Sequence, residues 1–273
     1  MSEPTIDPDI LAYYRDEWDE DARIRSGLHE IELIRTKEIL RRHLPGGPLR
    51  IIDIGGGSGV HAEWLLEDGH EVHLVDPLLF HVEQASAHLG DIDRFTSEVG
   101  DARSLVFEDA TFDAALLLGP LYHLTERTDR VCAWSEARRV TKQGGLVFAV
   151  GISKFAPIPV GLADGVIFDE LFMKLVEGTL SDGQHRNPPG REYFTTAFFH
   201  HPDELRREAE DSGLTVLAIV GIEGFAGILP QLEEHWDDPD KRDVIVEMAR
   251  AIESEPTLLG VGPHIMVVAR NAG

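Results

Sequence analysis

The stretch Ile52-Asp53-Ile54-Gly55-Gly56-Gly57-Ser58-Gly59 changes character at Gly55. Before it, residues 50–54 are short and mostly β-branched, which predicts a buried strand. After it, Val60, Trp64, Leu65 and Leu66 fall at helical spacing. A strand, a glycine-rich turn and a helix form the arrangement that lets a backbone approach a nucleotide-like ligand closely.

The same alternation extends outward. Residues 71–75 predict a second strand ending at Asp76-Pro77, and a helix follows over 80–89. A weak third strand over 97–99 precedes Gly100-Asp101, and a strong fourth covers 112–118. A helix over 126–140, the turn Lys142-Gln143-Gly144 and a fifth strand over 145–152 complete the pattern. Such alternation implies a parallel sheet covered on both faces.

Upstream, Tyr13, Tyr14 and Trp18 suggest a short helix within 9–20. Ile24, Leu28, Ile31 and Ile34 predict one helix from 24 to about 43, stopped by Pro45-Gly46-Gly47-Pro48. Downstream, residues 153–200 hold an amphipathic stretch with Ile167, Leu171, Leu175 and Phe172 as candidate inward residues. The polar segment 182–191 follows. A helix over 202–212 ends at Gly213, a strand covers 214–222, a helical insertion surrounds Trp236, and a strand over 263–270 closes the chain. The expected organisation is one domain, 1–273. It comprises N-terminal helices (1–48), a cofactor-binding core (49–152), cap insertions (153–200 and 223–262), and a final helix and strands (201–222 and 263–273). The insertions are expected to cover a pocket at the C-terminal edge of the sheet.

Composition narrows the partners. The chain has 273 residues, 42% apolar and 27% charged, the balance of a globular protein. It carries 49 acidic against 25 basic residues, a net charge of −24, which disfavours nucleic acid and anionic membranes. No apolar run approaches the ~20 residues of a membrane span. No secretory signal is visible, and the single Cys132 cannot form an internal disulfide, so a reducing cytoplasm is expected. Only five basic residues are lysine, which suits solubility in high salt and equally a genome rich in arginine codons.

The glycine spacing discriminates between ligands. A dinucleotide loop, G-x-G-x-x-G, would need its third glycine where Val60 stands; the glycines here are Gly55, Gly57 and Gly59. Asp53 beside the loop would repel a pyrophosphate and attract an ammonium group. Asp76, 17 residues beyond Gly59, can accept both hydroxyls of a ribose. These features favour a nucleoside bearing an amino acid, with an NAD-dependent oxidoreductase as the rival reading.

The stretch resembles motif I of the class I S-adenosylmethionine-dependent methyltransferases, in particular the small-molecule branch similar to ubiquinone- and menaquinone-biosynthesis enzymes. Val75-Asp76-Pro77, Val99-Gly100-Asp101-Ala102, the segment from Phe112 to Gly119, and Arg138-Arg139-Val140 with Gly144-Gly145-Leu146 resemble the later motifs in order. The likeness covers about residues 50–152 well. It implies an α/β, Rossmann-like, seven-stranded and mostly parallel sheet whose last strand is antiparallel, with S-adenosylmethionine as cofactor and a small molecule as methyl acceptor. It also implies that Gly55, Gly57 and Gly59 approach the donor and that Asp53 orients the loop or faces the donor's amine, directly or through water. Asp76 with Pro77 would hold the ribose, Asp101 and Ala102 the adenine. Leu118 and Gly119 would pass close through their backbone, and Tyr14 or Tyr13 would close over the methionine end. A donor-binding module without catalysis is the rival from outside enzymology.

A hydroxyl or protonated amine acceptor needs a base, and His123 just past the fourth strand is the candidate. His185, Arg186 and Tyr193 are candidate acceptor contacts, and Phe194, Phe198 and Phe199 could line an aromatic pocket. His200-His201 lacks any metal-binding spacing, so no metal is expected. Cys132 reads as a small core residue.

Overall fold

The computed structural model describes residues 7–17, 20–188 and 193–273; Trp18 and part of the 182–191 segment lie outside them. Strands β1 (Arg50–Ile54), β2 (Glu71–Asp76), β3 (Phe95–Val99), β4 (Phe112–Leu117) and β5 (Thr141–Ile152) form one sheet with β8 (Thr215–Gly221) and β9 (His264–Arg270). The two-residue strands β6 (Gln184–His185) and β7 (Ala197–Phe198) pair separately. The main order is β3-β2-β1-β4-β5-β9-β8. Only β9 runs antiparallel to its neighbours. The fold is thus the expected Rossmann-like one.

Side-chain alternation builds the two faces. Ile51, Val72, Leu74, Ala114, Leu116 and Phe148 point to one side. They meet helices α3 (Glu30–His43), α4 (Val60–Glu67) and α5 (Leu79–Leu89). Ile52, Ile54, Val75, Ala115, Leu117 and Val147 point to the other side. There they meet α7 (Arg127–Val140) and α10 (Pro202–Asp211). Both layers are close-packed, with Trp64 and Trp134 at most 1% exposed.

Several expectations are corrected. The helix expected from 24 to 43 is broken. Residues Glu20–Ile24 (α2) end early, a 3₁₀ turn covers Gly27–His29, and α3 begins at Glu30. Gly27 has φ +54, and a Cβ there would lie 2.0 Å from Glu233, whose carboxylate accepts the Leu28 amide. At the N-terminus, α1 (Pro8–Ala12) passes into a π-helical turn, Tyr13–Glu17. The turn at 142–144 is absorbed into β5 as an irregularity: pairing with β4 jumps from Thr141 to Leu146.

The cap also differs from expectation. It contains α8 (Pro157–Ala163) and α9 (Glu170–Asp182). On α9 the buried residues are Phe172, Leu175, Val176 and Thr179; Leu171 is exposed, and Ile167 before the helix is half-buried. Cys132 is exposed, because the inward stripe of α7 is Arg130, Ala133, Trp134, Ala137 and Val140. The insertion around Trp236 forms α11 (Glu233–Trp236) and α12 (Pro239–Ile252). It packs on Leu28 and Ile31 at the base of the N-terminal helices and lines neither cavity described below.

Candidate functional site

The turns after β1, β2 and β4 open at the same sheet edge, and a cavity of about 790 Å³ lies over them. Gly55 takes φ +70 and Gly57 φ +57, a left-handed backbone that glycine adopts without strain. Gly55 also admits Pro120, whose ring would sit 2.9 Å from a Cβ there. The Gly55 amide donates to Val75 O (2.7 Å), tying the loop to β2. Asp76 shapes the loop further: its carboxylate accepts from Gly57 N and Leu78 N (2.9 Å each) and faces His81 Nδ1 at 3.0 Å.

Asp53 sits beneath the loop, 1% exposed, and its Oδ2 has no hydrogen-bond partner among the described residues. A Cβ on Gly56 would come within 2.7 Å of that oxygen, so Gly56 is also required. Burial, with Asp76 nearby, pushes the Asp53 carboxyl up to about 7. Asp101, after β3, accepts from the Arg103 backbone and guanidinium, and Arg103 reaches on to Asp129 (2.8 Å). Burial raises and the Arg103 bonds lower the Asp101 carboxyl, leaving it below its usual range.

Asp53, Gly55, Gly57, Asp76, Pro77, Asp101, Ala102, Leu118, Gly119, Tyr14 and His123 all line this one cavity. Gly59 does not: at φ +95 it starts α4 and packs toward Leu89 and Ala85. The reading from the sequence missed Arg103 and His81, which line the cavity as well. Arg103 stands two residues after Asp101, the one signal that could have found it.

His123 ends the short helix α6 (Pro120–His123), and its Nε2 lies 2.8 Å from Tyr14 Oη. The chain beyond it is pinned by Arg130, which donates to Leu124 O (2.9 Å) and Thr125 O (2.8 Å), and by Gln184, which donates to Thr125 O. Arg130 is itself buried against Glu208 and stacked 3.5 Å over Phe198. Phe198 therefore serves that buried cluster and lines neither cavity.

A second cavity of about 500 Å³ adjoins the first, and Tyr14 and Tyr122 line both. Its walls include Phe172, His185, Tyr193, Phe194 and Phe199, with Arg23 and His264 also lining it. Arg186 is not among them; it is exposed and paired with Asp182 one helical turn back, correcting its expected place at a pocket.

His200 is fully buried against Glu208, not in a metal-like group. Among the described residues, Glu32, Glu223 and His264 do bring ligand-type atoms within 4.8 Å of one another. They are already partnered: His264 with Glu223, and Glu32 with Arg23 (2.7 Å). Burial lowers the His264 imidazole, but Glu32 and Glu223 outweigh it and push it up to about 9. No helix among the described residues is long and apolar enough to cross a membrane.

Comparison with known proteins agrees with this geometry. A methyltransferase domain family matches residues 51–145. The chain is 29% identical over 239 residues to a ubiquinone biosynthesis O-methyltransferase of Methylobacterium nodulans, covering 80% of this chain and 86% of that protein. It is 28% identical over 247 residues to the human mitochondrial enzyme of the same name, covering 84% of this chain and 60% of the human protein. A SAM-dependent methyltransferase of Methanosarcina mazei shares the fold at TM-score 0.58 and 19% identity, over 85% of this chain and 96% of that one. One from Mesorhizobium loti does so at TM-score 0.58 and 18% identity, over 88% and 99%. The methyl donor is S-adenosylmethionine. By these matches the chain is similar to the class I S-adenosylmethionine-dependent methyltransferases that act on small molecules.

Proposed function

We propose that the two cavities divide one O-methylation between them. The glycine-loop cavity takes S-adenosylmethionine, the aromatic cavity takes a small hydroxyl-bearing acceptor, and the hydroxyl is methylated where they meet. The observation that carries this reading is Tyr14, which lines both cavities with its Oη 2.8 Å from His123 Nε2. The names of the curated relatives, O-methyltransferases, support oxygen as the acceptor atom.

The donor cavity suits the group it would hold. Its volume of about 790 Å³ lies in the range of cofactor sites. Asp53 offers a buried carboxylate oxygen without a partner, which an ammonium group would satisfy. Asp76 would accept from the ribose hydroxyls. Asp101 and the Ala102 amide would hold the adenine, with Arg103 fixing the Asp101 carboxylate. Pro77, Leu118 and Gly119 complete the wall, and Gly59 acts only by starting α4. When bound, S-adenosylmethionine supplies an electrophilic methyl group already activated by its sulfonium.

This chain's own residues do the rest. His123 takes the acceptor's proton at Nε2, directly or through the Tyr14 hydroxyl; such general-base help is worth about 10²–10⁴-fold. Arg130 and Gln184 hold the backbone after His123 and so fix its aim. The Phe and Tyr walls orient a planar acceptor and exclude water. A net charge of −24 supports a free small molecule over nucleic acid or an anionic membrane, and one cysteine supports a cytoplasmic setting.

The test is to incubate the protein with S-adenosylmethionine and a panel of hydroxylated and aminated aromatics. Release of S-adenosylhomocysteine and the product are followed by mass spectrometry. A methyl ether is expected. Methylated amines alone, or no turnover by protein that binds the donor, would contradict the reading.

A further inference from the structure

The aromatic cavity holds polar atoms that neither the fold nor the proposed reaction uses. His185 ends β6 in register with Ala197 of β7. It is 3% exposed, stacks on Phe199 at 5.0 Å and 24°, and meets Phe194 edge-on. Neither ring nitrogen has a hydrogen-bond partner among the described residues. The side-chain amide of Asn187 lies beside the ring and acts on it, while its own hydrogen bonds are made with Phe194 O and Tyr193 N. Tyr193 Oη is also buried without a partner among the described residues, its ring edge-on to Phe172 at 5.0 Å. Both side chains line the same cavity.

A buried donor or acceptor left unmade costs about 1–3 kcal/mol, so two in one cavity point to a ligand that satisfies them. Burial pushes the His185 imidazole down to about 4, so at neutral pH it is uncharged, with one N–H to give and one bare nitrogen to fill. The Tyr193 hydroxyl also gives and accepts. A carboxylate or ammonium would find no opposite charge in either side chain, and the cations elsewhere in the wall, Arg23 and His264, are already paired with Glu32 and Glu223. An uncharged hydroxyl matches both.

We propose that His185 and Tyr193 form a subsite that reads a second, uncharged hydroxyl on the acceptor, separate from the one methylated. This rests on the aromatic cavity being the acceptor site. The subsite sets which acceptor is chosen and leaves the chemical step to His123.

The experiment is calorimetric titration of phenol, catechol, resorcinol and hydroquinone into protein saturated with S-adenosylhomocysteine. At least one diol should bind about tenfold tighter than phenol. His185→Leu and Tyr193→Phe should each bring that diol toward phenol's affinity, leaving phenol and S-adenosylhomocysteine binding unchanged. In turnover, the diol's KM should rise while kcat stays within about twofold. Equal affinity for phenol and all diols in the native protein, diol affinity unchanged in both variants, or phenol lost along with the diol would overturn the subsite. Ala156→Trp separates the two readings, since it fills the cavity beside Phe199 and removes neither polar side chain. If it leaves phenol binding intact in protein that still binds S-adenosylhomocysteine, the acceptor-cavity reading fails. If it blocks phenol while His185→Leu and Tyr193→Phe change nothing, only the subsite fails. Binding of none of the four would overturn both.

Discussion

The donor cavity and the acceptor cavity share two tyrosines yet are built by opposite means. Around the donor cavity, one side comes from short runs at or just past the ends of neighbouring strands: 53–58 at β1, 76–78 at β2, 100–103 at β3 and 118–120 at β4, with N-terminal residues such as Ile10, Tyr14 and Ile24 on the other. Those runs are shaped by glycine conformation and by carboxylates that hold backbone amides. Around the acceptor cavity, single side chains arrive from distant segments: Tyr13, Arg23, Tyr122, Phe172, His185, Phe199 and His264. A backbone-built site tolerates little change in sequence spacing. A side-chain-built site can be rewritten one residue at a time without disturbing the sheet.

The largest expected effect lies where the two cavities meet. His123→Ala should lower kcat by about 10²–10⁴-fold and leave S-adenosylhomocysteine affinity unchanged, as calorimetry and single-turnover rates would show. A variant with full activity would remove His123 from the mechanism and separate the cavities functionally. Next comes Asp76→Ala, which removes a ribose acceptor and frees the Gly57 and Leu78 amides. Donor affinity should fall about 10–100-fold with acceptor binding to the loaded protein unchanged. Acceptor affinity falling equally would mean that the two halves are not independent.

A smaller effect sits in the wall of the acceptor cavity. The His264 imidazole is held at about 9, above its usual 6.5. The raised value means that its contribution to stability is complete below pH 6.5 and is lost as pH rises toward 9. The loss should be read as a falling Tm across that range, and Glu223→Gln should flatten that slope. A native slope that survives in Glu223→Gln would point to another group. The smallest effect is Arg186→Ala. Its pair with Asp182 is exposed, so stability should change by less than about 0.5 kcal/mol and turnover not at all. A marked rise in acceptor KM would show that this loop closes over the cavity after all.

The same contrast explains what could be read from the chain. The alternating sheet and the cavity-edge places of Asp53 and Asp76 follow local rules, strand periodicity and glycine turns, whereas the antiparallel last strand and the place of Asp101 are implied by the resemblance of the motifs to a known family. The break at Gly27 was not legible, because the carboxylate that fills the space beside it is Glu233, far along the chain. Phe198 resembled a pocket residue in sequence, but a buried arginine claims its face. Leu171 and Phe172 fit an apolar stripe equally well until α9 was packed on the cap. Gly59 belongs to the motif but starts a helix, a distinction that only its packing toward Leu89 and Ala85 reveals. His264 and Arg23 gave no pattern at all, since their partners are assembled by the fold.

The central claim is that donor recognition belongs to the glycine-loop cavity alone. Titration of S-adenosylhomocysteine into the native protein, Asp76→Ala and His185→Leu tests it most directly. The account predicts roughly micromolar binding in the native protein, the same affinity in His185→Leu, and at least tenfold weaker binding in Asp76→Ala. No binding in folded native protein, NAD binding in its place, or an affinity untouched by Asp76→Ala would contradict it.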